Sequence, residues 1–252
     1  MKRACILLAF PLFLFCVSLP AQKKSPFDLQ QITDDAYSYY LNNPDTAILL
    51  TAKALDLALH SRDTYYEGYC YFLFSKTYWV KANYKLSTEY GFKALKIFQN
   101  SSHHKALGAS LLSVGRTLVE LGNLDKAREF IGEALALGIE HDDDFIQAGA
   151  FREKSYLLTE MNQLDSALYY SDNGIALFQK LGDSLDMSVL YGRKSRIYFQ
   201  QKKFEKSRRF AYQALLIDSL VGNLRGLGIS YFQVAQNEYV MGNSQKAINQ
   251  LK

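Results

Sequence analysis

The sequence predicts an all-α solenoid of stacked helical hairpins, and three observations carry that prediction. Six small residues, Ala47, Ser87, Ala127, Ala167, Ser207 and Ala247, recur every forty residues. Other columns keep the same register: Ala54, Ala94, Ala134, Gly174 and Ala214 stand seven residues later, and Ser75, Gly115, Ser155, Ser195 and Ala235 stand twelve residues earlier. Within each period the apolar residues follow helical spacing, and all four prolines lie before residue 45, so nothing later interrupts a helix. An array of this kind works as a surface and seldom as a catalyst.

The N-terminus stands apart from the repeats. Lys2 and Arg3 precede the apolar stretch 4–19, followed by Pro20, Ala21 and Gln22, the layout of a secretory signal peptide over residues 1–21. The stretch is shorter than the ~20 residues a spanning helix needs, and Pro11 interrupts it. Phe13, Leu14 and Phe15 stand where lipid attachment at Cys16 would need small residues, so Cys16 is not read as a lipoprotein cysteine. Residues 22–27 are a linker.

Residues 28–67 form an atypical first repeat, in which Asn42-Asn43 makes the turn, Asn43 caps the second helix and Pro44 suits its first turn. Four full units follow at 68–107, 108–147, 148–187 and 188–227, each opening on the small column Gly68, Gly108, Ala148, Ser188 and Gly228. In the clearest copy a first helix covers about 108–121 and a second about 125–139, with Gly122-Asn123 supplying a left-handed turn between them. Gly242-Asn243 repeats that turn, and Ala82-Asn83 and Asn162-Gln163 fill it with poorer substitutes. Leu55, Leu95, Leu135, Ile175 and Leu215 supply core, as do Leu57, Ile97, Leu137, Leu177 and Ile217. The small columns let paired backbones approach, with Gly115 facing Ala127 and Ala134. A sixth unit, 228–252, is incomplete: its second helix opens near Gln245 and leaves Ile248 and Leu251 uncapped, so the natural chain is expected to continue past Lys252.

Composition bounds the chemistry. With 48% hydrophobic and 21% charged residues the chain can bury a large core. The formal charge of +4 drops by two when Lys2 and Arg3 leave with the signal, which gives no electrostatic case for nucleic acid. Cys5 and Cys16 leave too, so Cys70 is alone in the mature part and no internal disulfide forms. It lies in the aromatic stretch 69–74 and reads as a buried small hydrophobe. Phosphate loops, zinc helices, nucleophile elbows and paired cysteines are all missing. Ser102-His103-His104-Lys105 matches a Ser-x-x-Lys spacing without any partner motif, and His141 with Asp142, Asp143 and Asp144 reads as an inter-repeat turn and helix cap. No catalytic residue, metal or cofactor is expected.

Gly115, Gly122-Asn123, Leu124, Ala127 and Ala134 resemble the tetratricopeptide repeat, and the resemblance covers about residues 28–252. The period is forty rather than the usual thirty-four, and the usual proline after the second helix is missing. That longer unit resembles the subclass with extended helices found in bacterial regulators and adaptors. The resemblance implies a right-handed superhelix whose first helices line the concave face. One column there reads Lys76, Arg116, Tyr156, Arg196 and Gln236; its neighbour holds Trp79, Val119, Thr159, Phe199 and Tyr239, with Arg152 and Arg193 close by. Cations interleaved with aromatics suit an extended acidic peptide or a chain terminus. The expected function is a non-enzymatic protein–protein interaction scaffold, exported to the periplasm or bacterial envelope, with a protein or peptide partner. Nucleic acid is not expected, and a membrane only through the signal segment or a missing C-terminal part. Two alternatives stay open: the sensory region of a membrane-anchored regulator whose histidine kinase or DNA-binding output lies beyond residue 252, and glycan capture through Trp79, Tyr156 and Tyr239.

Overall fold

A computed structural model describes residues 26–243 together with Gln245 and Ala247. The signal segment, the start of the linker and the rest of the sixth unit's second helix lie outside the described residues. Among the described residues every regular element is helical. Helix α1 (Pro26–Tyr39) pairs with α2 (Pro44–Ser61), α3 (Thr64–Val80) with α4 (Tyr84–Phe98), and α5 (His104–Glu120) with α6 (Leu124–Glu140). Then α7 (Asp144–Glu160) pairs with α8 (Leu164–Leu181) and α9 (Ser184–Gln200) with α10 (Phe204–Val221), before α11 (Leu224–Val240) opens the next hairpin. The starts at Thr64, His104, Asp144, Ser184 and Leu224 fall forty residues apart. No helix among the described residues is long and apolar enough to cross a membrane.

The hairpins stack into a right-handed solenoid. Each helix packs on its sequence neighbours, and α1, α3, α5, α7, α9 and α11 also touch one another in succession, whereas the even-numbered helices do not. The odd helices therefore form the tighter, inner wall. They start four residues ahead of the small column that opens each unit, because polar side chains cap them there. Asp63 accepts from the Tyr66 amide, Asp143 from Phe145 and Ile146, Asp183 from Asp186, and Asn223 from Gly226. Each cap satisfies an amide that the first turn leaves without a helical partner. Helix α1 likewise begins at Pro26, inside the segment read as linker.

The turns inside the hairpins adopt the left-handed conformation at Gly122 (φ 73°) and Gly242 (φ 85°), and also at Ala82, Asn162 and Lys202, which carry a Cβ. Asn42 departs from the expected pattern and does not take positive φ. Between α5 and α6 the small columns do what their size suggests. A Cβ on Gly115 would sit 2.7 Å from Ile131 Cγ1 and 3.6 Å from the Ala127 carbonyl oxygen, and Ala127 and Ala134 are fully buried. Serines in the same columns add hydrogen bonds across the seam: Ser87 Oγ donates to the Ser75 carbonyl at 2.9 Å and Ser207 Oγ to the Ser195 carbonyl at 2.8 Å. Cys70 is buried, and burial pushes its thiol up to about 12, so it packs as an apolar group.

Candidate ligand-binding cavity on the concave wall

A cavity of about 710 Å³ lies against the inner wall. Its lining is itself a repeat. On α7 it takes Phe145, Gly149, Arg152, Glu153 and Tyr156, whose spacing puts them on one helix face. The equivalent positions forty residues away line it too: Lys105, Ala109, Leu112, Ser113 and Arg116 on α5, and Leu185, Val189, Gly192, Arg193 and Arg196 on α9.

Seven of the residues singled out in the sequence meet here: Lys76, Trp79, Arg116, Arg152, Tyr156, Arg193 and Arg196. Phe199, Gln236 and Tyr239 do not line the cavity. The column of Trp79 lies three residues beyond the stripe's last position. Its members Val119 and Thr159 are only 4% and 3% exposed, Phe199 packs against Phe204 with ring centroids 5.3 Å apart, and Tyr239 is 69% exposed outside the cavity. Gln236 is exposed on α11, past the stripe's last lining residue there, Gln233.

Glu153 is the centre of the site, 1% exposed. Arg152 Nε donates to its Oε1 at 2.7 Å, and Arg152 Nη1 pairs with Asp186. Arg116 Nε stands 3.7 Å from Glu153 Oε2, an ion pair too long for a hydrogen bond, while its guanidinium stacks 3.9 Å from the Trp79 ring centroid. The Arg193 guanidinium stacks 4.1 Å from Tyr156 and has no carboxylate within 4 Å among the described residues. Arg196 reaches Glu160 at 2.9 Å, and the Lys76 ammonium lies 4.4 Å from the Tyr40 ring.

Burial opposes the charge on Glu153, but Arg116 and Arg152 outweigh it and hold the carboxyl below the usual carboxylate range. Burial also pulls the Arg193 guanidinium down to about 10, against the attraction of Glu153. It is still charged at neutral pH. Trp79 Nε1, Arg116 Nε, Glu153 Oε2, Arg193 Nε and Gln233 Oε1 are buried and make no hydrogen bond among the described residues. Buried polar atoms are normally satisfied, and these five exceptions all sit on one cavity wall. Seven cations (Lys76, Lys105, Arg116, Arg152, Arg193, Arg196, Arg225) and five carboxylates (Glu120, Glu153, Asp183, Asp186, Asp218) line the cavity, an excess of positive charge.

Sequence reasoning missed Glu153, Lys105, Gln233 and Arg225. A signal for the first was present: the column Ser113, Glu153, Arg193 and Gln233 puts polar residues beside the Arg152 position in four successive first helices.

No family model matches the chain, and no curated protein sequence does. Solved structures do match in fold. BtubC from P. vanneervenii aligns with a TM-score of 0.61 at 16% identity over 88% of each chain. A signal-transduction ATPase with a tetratricopeptide repeat sensor, from Pyrococcus horikoshii, gives 0.58 at 20% identity over 89% of this chain and 35% of that one. A Rap protein complexed with competence and sporulation factor gives 0.59 at 14% identity over 89% of this chain and 65% of that one. The fold is that of a tetratricopeptide-type repeat solenoid. At identities of 14% to 20% these matches speak to the fold alone.

Proposed function

We propose that this chain is a non-catalytic binding scaffold that takes an acidic segment of a protein or peptide into the concave cavity. The buried, unpartnered polar atoms around Glu153 carry this reading, because a cluster of desolvated donors and acceptors is costly unless something completes it. Positive charge in excess on the lining, and Arg193 stacked on Tyr156 without a carboxylate, select an anionic group. The solvation of a peptide carboxylate would be replaced there by charge-assisted hydrogen bonds. The structural similarity to a Rap protein solved with competence and sporulation factor is consistent with a peptide in such a solenoid. Glycan capture is disfavoured, since guanidiniums already cover the faces of Trp79 and Tyr156 that a sugar ring would stack on, and Tyr239 lies elsewhere.

The scaffold is placed in the bacterial envelope on the strength of Lys2, Arg3 and the apolar stretch 4–19. Cell fractionation with N-terminal sequencing tests this: a mature form starting at Gln22 supports export, and an intact Met1 in the cytoplasm sinks it. Binding is tested by titrating a glutamate-rich peptide into the wild type and into Arg193→Gln with Arg196→Gln. The double variant is expected to bind about tenfold more weakly, the loss of about one charge-assisted contact. Equal affinity, with unchanged melting, would remove the anionic-segment reading.

A further inference from the structure

The two ends of the described array meet. Asn42, in the α1–α2 turn, accepts a hydrogen bond from the Leu224 amide at 3.3 Å and donates to the Gly222 carbonyl at 3.3 Å. Both of its side-chain hydrogen bonds cross to the far end of the chain. Leu224 opens α11, so its N–H has no helical acceptor and depends on Asn42. Arg225 Nη1 donates at 2.8 Å to the carbonyl of Val80, at the C-terminal end of α3 where carbonyls lack helical partners. The same guanidinium lies 5.0 Å from the Trp79 ring, which Arg116 approaches at 3.9 Å.

Apart from these side-chain contacts, the backbones of α1, α2 and α3 stay more than 8 Å from those of α10 and α11. The joint therefore rests on three hydrogen bonds, all at exposed positions and two of them long, and on the Arg225 guanidinium against the Trp79 ring. The receiving turn is rigid. Asp218 is 1% exposed and accepts from Ser188 Oγ at 2.5 Å, Asn223 Nδ2 at 2.9 Å and Ser230 Oγ at 2.8 Å. A Cβ on Gly226 would come within 2.3 Å of Asp218 Oδ1, so only glycine fits beside this knot. Movement at the joint thus separates one hairpin from the other and leaves the turn itself intact.

We propose that Asn42 and Arg225 form a clasp between the first hairpins and α11 that opens and closes the wall of the cavity, and that a bound ligand favours its closed state. Tyr37, Tyr40 and Leu41 line the cavity from one side of the clasp, and Asn223, Ile229 and Gln233 from the other. A ligand that touches both sides binds the closed form more tightly, and by linkage it must then draw the ends together. The clasp is a regulator of the binding site and rests on the reading that the cavity is that site; it converts occupancy into a change in the position of α11.

The test uses the full chain and Asn42→Ala, which removes both crossing bonds and no other side-chain bond. Two readouts report the clasp: hydrogen exchange of the Leu224 amide, and acrylamide quenching of Trp79, the single tryptophan. Asn42→Ala is expected to speed Leu224 exchange by about tenfold and to raise Trp79 quenching as Arg225 leaves the ring, with the melting temperature close to wild type. Unchanged exchange and quenching overturn the clasp. With a tetraglutamate peptide as probe, wild-type Leu224 exchange slows and Asn42→Ala binds more weakly. A peptide that binds both proteins equally, leaving Leu224 exchange unaltered, overturns the coupling. If the peptide fails to bind while Asn42→Ala still loosens Leu224 and Trp79, the clasp stands and the acidic-segment reading of the cavity falls.

Discussion

The seam between α5 and α6 and the concave centre built by α5, α7 and α9 share a helix, yet they bury their side chains on opposite terms. In the seam, Gly115, Ala127, Ile131 and Ala134 close on one another without a polar side-chain atom among them. In the centre, Glu153 is as deeply buried as Ile131 but is surrounded by three guanidiniums, and its Oε2 is left without a hydrogen bond. The seam is repeated: its small columns return in every full unit. The centre is not, because the same helical stripe carries Ser113, Glu153, Arg193 and Gln233 in turn. The frame is generic, and the particular chemistry of this protein sits where the repeats disagree.

The comparison is broken hardest at Glu153. Glu153→Ala leaves Arg116, Arg152 and Arg193 facing one another with a single carboxylate, Asp186, in direct contact, and is expected to cost about 3 kcal/mol of stability. Urea unfolding of the variant measures this, and a change under 1 kcal/mol would mean that solvent in the cavity screens the cluster. The same residue sets an acid limit. A carboxyl held below its unfolded value contributes stability that is fully present above the unfolded value of about 4.3 and is lost as the pH falls through the lower folded value. Stability should therefore be insensitive to Glu153 between pH 7 and 5 and should decline below about 4, with Glu153→Gln flattening that acid limb in a pH series of unfolding midpoints.

A smaller effect is expected in the seam. Ala127→Phe forces a ring into a fully buried site beside Ile131 and Gly115 and should lower stability by about 2 kcal/mol. Thermal unfolding measures it. The ranking matters more than either value: if Ala127→Phe costs more than Glu153→Ala, the concave centre is an ordinary wet surface, and its orphaned atoms lose their significance.

What the sequence made legible follows the same division. The forty-residue spacing of helix starts, the close approach at Gly115 and the cap at Asn43 were all readable, because each depends on a few neighbouring residues or on strict periodicity. The inner wall was readable in part. Lys76, Arg116, Tyr156 and Arg196 line the cavity while Gln236, the fifth member of their column, does not, and of the Trp79 column only its first member does. Which way a column faces depends on how each helix is rotated against its neighbours, and no single helix's periodicity records that. The meeting of Asn42 with Leu224 was beyond reach altogether, since it depends on the curvature that small per-unit rotations accumulate over five hairpins.

The smallest expected effect returns to the frame and gains stability. Lys202 turns the chain between α9 and α10 at φ 58°, the place where Gly122 and Gly242 serve in other copies. Its Cβ meets the steric cost of the left-handed region, and its exposed side chain makes no hydrogen bond or ion pair among the described residues that would repay it. Lys202→Gly removes that cost but lets the unfolded chain explore more conformations, so the two terms oppose each other. With the left-handed penalty the larger, the variant should be more stable by about 0.5–1 kcal/mol and melt a few degrees higher. Calorimetry decides it. A drop in the melting temperature would show that the α9–α10 turn is held by something other than local backbone preference, and would move the fifth hairpin from the generic frame to the part of the solenoid that is specific to this chain.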